Sequence, residues 1–286
     1  MFDFLRATIR MSTPLFLTAL GGTWTRQTGV LNISQEGAML ISSFFAVLGN
    51  YFFQSWIAGV LSGMAAGLIF NMLFALLCVF LRANIWVVGM TLNILADSLS
   101  ILLMKSVFHV KGGFRDPRMV RIPDISLPYI GNFSLLILLA AILFFIFWFV
   151  DFKTVFGMRL KAAGENEEAL SAAGISPVSL RFKALAINGI MVGLAGAFLS
   201  TSYLVAFVSG MSAGRGWLAV AAVIFGDGNL LWSIVGVFLF GAAQAAGIEL
   251  QSFGFSSHLA LMLPYILVII ALVFKNWKGV KLAKKA

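Results

Sequence analysis

Apolar runs close to the thickness of a lipid bilayer recur along this chain, and they constrain its fold more than any other feature. A helix needs about 20 such residues to cross the hydrocarbon layer. Nine segments meet or approach that length: residues 10–26, 32–53, 56–81, 85–108, 132–151, 181–203, 205–226, 229–250 and 257–275. Gly21, Gly22 and Arg26 interrupt the first. Ser209, Gly210, Ser212, Gly214, Arg215 and Gly216 interrupt the seventh, which reads as unwound backbone leading into a short helix, Trp217–Phe225. Non-helical backbone at membrane depth survives only where protein or water surrounds it. The seventh segment is therefore expected to line a path or a tight helix contact. Residues 1–286 are predicted to form one all-α domain, a polytopic transmembrane bundle of about nine spans with one broken or re-entrant segment. Composition agrees: 60% of the residues are hydrophobic and 11% charged, against about 45–50% and about 25% in soluble domains. Lipid must cover the excess.

The same composition excludes several functions. One cysteine, Cys78, makes no internal disulfide, and His109 and His258 supply no metal set. No G-x-x-x-x-G-K-[ST] loop is present for ATP, and no Ser/His/Asp or Cys/His set for catalysis, so neither an enzyme nor a cofactor is expected. The net charge of +9 lies in loops and the tail rather than in a nucleic-acid surface. The N-terminus, with Asp3, Arg6 and Arg10, shows no cleavage site for a leader. Three polar stretches interrupt the apolar pattern: Lys111–Gly131 with Pro117, Pro123 and Pro128, Asp151–Leu180, and a tail, 275–286, with five lysines. Placing the tail and the 151–183 loop in the cytoplasm puts 12 of the 20 basic residues inside, and implies an outside N-terminus. The basic 105–121 loop opposes that orientation.

Residues 152–180 form the most informative connection. Gly164 and Gly174 bracket a helix-forming run, Glu165–Ala173, with Glu165, Asn166, Glu167 and Glu168 near its positive end. Ala169, Ala172 and Ala173 leave a smooth surface beside Leu170. A nine-residue helix is marginal alone in water and would gain by docking into a groove on another protein. An amphipathic connector with no partner is the alternative reading.

Arg159 to Ile175 resembles the coupling loop of ABC importer permeases of the simple-sugar, nucleoside and branched-chain amino-acid superfamily, with Leu170 in place of a usual alanine. Gly29 to Leu40, containing Asn32, Glu36 and Gly37, resembles a second family segment, with Ser34 where glycine is usual. Gly214 to Gly226 resembles a third. The three keep the family order across residues 29–226, and the Asn32-Ile33-x-x-Glu36-Gly37 form, with the short N-terminus, is most like the nucleoside-type permeases. The resemblance implies a bacterial inner-membrane permease working by alternating access. It also implies a cytoplasmic ABC ATPase driving the 165–173 helix, a second permease subunit (different rather than identical), and an extracytoplasmic solute-binding protein. Nucleosides are favoured over simple sugars, and branched-chain amino acids are a further option. An ion-coupled secondary transporter using Glu36 and Asp97 is the rival mechanism, although no repeat of two matching halves is visible. A membrane-embedded enzyme is a third option, without a visible catalytic set.

Polar groups within spans are costly and usually face the bundle or a cavity. Asn32, Gln35 and Glu36 either shape the mouth of a broken helix near the path, or cap that helix and tie it to a neighbour. Asn93 and Asp97 form a polar pair one turn apart, facing either solute or another helix. Asn71, Asn188 and Gln244 are expected to bond between helices, Asp227 to lie in a tight turn, and Glu249 near the outer end of its span. Trp86, Phe207 and Trp217 are candidates to stack on a base or sugar, against a default of belt or lipid-facing roles.

Overall fold

Glycines spaced by four residues decide how the centre packs. Gly59, Gly63 and Gly67 line one face of a helix, and Gly189 and Gly193 line the helix crossing it. A Cβ on Gly67 would stand 2.4 Å from the Gly189 carbonyl oxygen, and one on Gly193 2.5 Å from the Met64 Cα. The two backbones therefore meet almost directly, as small-xxx-small helix pairs do in membranes.

The computed structural model describes residues 2–127, 131–252, 256, 262–273 and 275. Its helices are α1 (Phe2–Gln27), α2 (Gln35–Phe53), α3 (Trp56–Ala75), α4 (Ile85–Phe108), α5 (Leu135–Lys153), α6 (Val155–Glu165), α7 (Glu167–Ala172), α8 (Pro177–Ala197), α9 (Arg215–Gly226), α10 (Leu230–Ser252) and α11 (Met262–Val273). Wide turns extend α3 through Leu76–Phe80 and α8 through Phe198–Tyr203. The helices α2, α3 and α8 pack on one another, and α1 joins α8 to α9 and α10. The helix α4 packs mainly on α2.

The chain is an all-α membrane bundle, but the expected nine spans reduce to six by length and composition among the described residues. The helix α1 has 26 residues but is less apolar, with Arg6, Arg10 and a series of threonines. The seventh segment is helical only over α9, whose 12 residues span about 18 Å, roughly half a bilayer. The ninth is described as the short α11; the tail beyond Lys275 lies outside the described residues.

The bundle has two distinct ends. At one, the 109–134 connection is tied down. The Asn50 amide donates to the Val120 carbonyl (2.8 Å) and accepts from its N–H (3.0 Å), and the Phe108 and Phe114 rings stack at 3.8 Å. Two short antiparallel ribbons, not anticipated from the sequence, lie on the connections: β1 (Gly113–Phe114) with β4 (Phe207–Val208), and β2 (Asp124–Leu127) with β3 (Gly131–Ser134). At the other end, α6 packs beside the C-terminus of α1, and α7 packs on α6 and α8.

Candidate functional site

Residues 28–34 leave the helix after α1 and run back into the bundle before α2 begins. Gly29, at φ +83°, makes the reversal. Such a segment survives inside the bundle only if its polar groups are partnered, and asparagines do this. The Asn32 amide nitrogen donates to the Asn71 side-chain oxygen, and to that of Asn188 at 2.7 Å. Its oxygen accepts from the Ser34 N–H (3.0 Å) and hydroxyl (2.8 Å). Asn32 thus knots the linker to α3 and α8 rather than capping α2; Ser34 occupies the cap position. Asn93 of α4 works similarly, donating to the Ile33 carbonyl (3.0 Å) and accepting from the Gly37 N–H (2.8 Å). Gln35 is buried, and its side-chain oxygen has no protein partner among the described residues.

Glu36 meets the second break. The start of α9 presents backbone N–H groups with no helical acceptor. Glu36 Oε1 accepts from Gly214 (2.8 Å), and Oε2 from Gly216 (2.7 Å) and Trp217 (3.4 Å). A carboxylate is favoured there by the positive end of the helix dipole. Gly216 leaves room: a Cβ on it would stand 2.4 Å from the Glu36 Cα. Glu36 therefore caps α9 rather than its own helix. The far end of α9 is fixed by Arg26 and Asp227 at 3.1 Å, beside the C-terminus of α1.

The connection 152–180 differs in register from the expected helix over 165–173. Glu165 ends α6, and Asn166 breaks the helix with extended backbone. Its side-chain oxygen accepts from the Ala169 N–H at 2.9 Å, which starts α7 two residues late. Gly164 is not a stop. It lies inside α6, where an added Cβ would stand 2.1 Å from the Gln27 carbonyl oxygen. Gly174, at φ +77°, does follow the last turn. Glu165, Asn166, Glu167, Glu168, Ala169 and Ala173 are exposed, and Leu170 is buried.

One guanidinium joins this external helix to the interior. Arg181 of α8 pairs with Glu167 of α7 (2.8 Å) and donates through Nε to the Thr28 carbonyl (3.1 Å). The three elements α7, α8 and the 28–34 linker therefore share one side chain. A polar cleft of about 430 Å³ opens beside it, lined by Arg26, Asp151, Lys161, Gly164, Glu165 and Asp227. The buried Asp151 pairs there with Lys161 at 3.2 Å. Sequence reasoning did not single out Arg181. A cation one turn into a helix opposes the dipole, and that was the available signal.

The remaining candidates do not converge on these contacts. Phe207 is fully buried, edge-on to Phe44 at 5.3 Å, and presents no free face for a base or sugar. Trp86 is 58% exposed near the start of α4, Trp217 is half-buried on α9, and Asp97 is exposed midway along α4.

The family described as branched-chain amino acid transport system / permease component matches residues 4–272. The guanosine ABC transporter permease protein NupQ of Bacillus subtilis is 32% identical, over 93% of this chain and 89% of its own. The nucleoside ABC transporter permease protein NupC of Lactococcus lactis is 32% identical, over 96% and 92%. The putative glucose ABC transporter permease protein TsgC13 of Haloferax volcanii is 30% identical, over 87% and 78%. No solved structure matches the chain.

Proposed function

The chain belongs to the permease-component family of branched-chain amino acid transport systems and is a multi-pass ABC transporter subunit, and on that premise we propose that it imports a nucleoside or a simple sugar by alternating access. ATP is hydrolysed on a separate ATPase docked against α7. A second permease subunit, different from this chain, completes the path, and an extracytoplasmic solute-binding protein delivers solute at the opposite end. The α7 end and the lysine-rich tail then face the cytoplasm of a bacterial inner membrane, with the N-terminus outside.

The observation that carries this reading is the double contact of Arg181. Motion of α7 pulls on Glu167, and through the same guanidinium on the Thr28 carbonyl. The linker 28–34 is the element that Asn32 knots to α3 and α8, and Glu36, two residues beyond it, caps α9. A push at α7 therefore reaches both helix breaks through named bonds. Of the two carboxylates an ion-coupled mechanism would use, Glu36 is already held by three backbone N–H groups at the start of α9. Guanosine, nucleoside and glucose in the names of the relatives favour hydroxylated solutes over branched-chain amino acids.

The test is uptake of labelled guanosine into vesicles carrying the assembled complex. Uptake should persist when ionophores collapse the ion gradients and stop when ATP is withheld. Dependence on a gradient without ATP would overturn the proposal.

A further inference from the structure

We infer that Asp97 faces the aqueous translocation path and accepts hydrogen bonds from hydroxyl groups of the passing solute, a step that rests on the transporter reading above. The helix α4 has 24 residues, about 36 Å, and Asp97 stands at its midpoint. Its side chain is exposed, and its carboxylate makes no hydrogen bond or ion pair among the described residues. Other carboxylates in the bundle have a partner: Glu36 has the start of α9, and Asp151 has Lys161. An unpaired charge at the centre of a membrane helix faces a cavity or a partner rather than lipid.

The exposed surface of α4 differs from that of α5 in carrying polar groups among its apolar ones. Thr91 and Ser98 are also exposed on α4, roughly a third of a turn round from Asp97, while Met90, Ile94 and Ile101 beside it are exposed apolar residues. The exposed side of α5 contains Ile142, Phe145, Ile146, Trp148 and Phe149, with no polar group among them. The helix α5 presents what lipid requires; α4 presents a mixed surface with a carboxylate at its middle. Trp86, three turns before Asp97, lies on the same stripe of α4 and is 58% exposed.

An ionised carboxylate offers acceptors only, on two oxygens. That matches adjacent hydroxyls of a ribose or hexose. It repels the carboxylate of a free amino acid. Asn93, one turn away, cannot share this role, because its amide is spent on Ile33 and Gly37.

The test uses the reconstituted complex with Cys78→Ala as background. Asp97→Cys and Phe145→Cys are each exposed to a charged, membrane-impermeant thiol reagent. The Asp97→Cys thiol should react at least about tenfold faster than the Phe145→Cys thiol, because only a thiolate in water reacts well. Guanosine should slow that reaction. In a separate arm, Asp97→Asn should lower guanosine uptake about tenfold while assembly and basal ATP hydrolysis persist. Equal labelling at the two positions, labelling that guanosine does not slow, or full uptake by Asp97→Asn would each overturn the inference. Fast, guanosine-sensitive labelling in a complex driven by an ion gradient would keep the Asp97 contact and remove only the ATP-driven reading.

Discussion

Asn32 and Glu36 are four residues apart, yet they serve different breaks. Both were legible in the sequence as polar groups in an apolar run. Their partners were not, because Asn71, Asn188 and Gly214 lie 39, 156 and 178 residues away. Only the packed bundle brings them together. Interhelical hydrogen bonds in membranes average about 0.6 kcal/mol each, so Asn32→Ala, which removes the two to Asn71 and Asn188, should cost about 1 kcal/mol. Glu36→Ala strands the N–H groups of Gly214 and Gly216, and groups left unpaired cost about 1–3 kcal/mol each. Glu36→Gln keeps one acceptor and should cost about half as much as Glu36→Ala. Thermal unfolding in detergent checks all three, with Glu36→Ala the least stable. A Glu36→Ala protein as stable as the parent would remove the cap as a structural element.

At the scale of elements, the connection 152–180 shows what a sequence can and cannot reveal. The helical run and its exposed alanines were readable, but the boundaries were not. Gly164 looks like a stop because glycine favours helix ends. Its actual reason is the Gln27 carbonyl packed against it, which no local pattern reports. Asn166 carried the better signal, an asparagine followed by two acids at a helix start. Gly164→Ala should therefore push α6 from α1. Overpacking of this kind costs about 1–3 kcal/mol, visible as a lower Tm; an unchanged Tm would show that α6 moves aside freely. The half-length α9 was also partly readable, since the glycines and serines before Trp217 mark unwound backbone. That Glu36 caps it was not, because the carboxylate comes from another helix.

On the scale of the whole molecule, the membrane-embedded all-α class followed directly from apolar run length, while the span count did not. The helix α1 is long but rich in threonine, and α9 and α11 are short. Counting apolar runs treats these as equal to α5, and they are not. The arrangement as a whole places an exposed six-residue helix at one end and two helix breaks inside, with Arg181 between them. The central claim is that this side chain carries motion from the ATPase to the path. Its most direct test is the number of solute molecules taken up per ATP hydrolysed, in vesicles containing the assembled complex with Arg181→Ala. The complex should still assemble and hydrolyse ATP, and the ratio should fall about tenfold, with Glu167→Gln giving a smaller fall because the Thr28 contact remains. An Arg181→Ala complex whose uptake per ATP equals that of the parent would contradict the account.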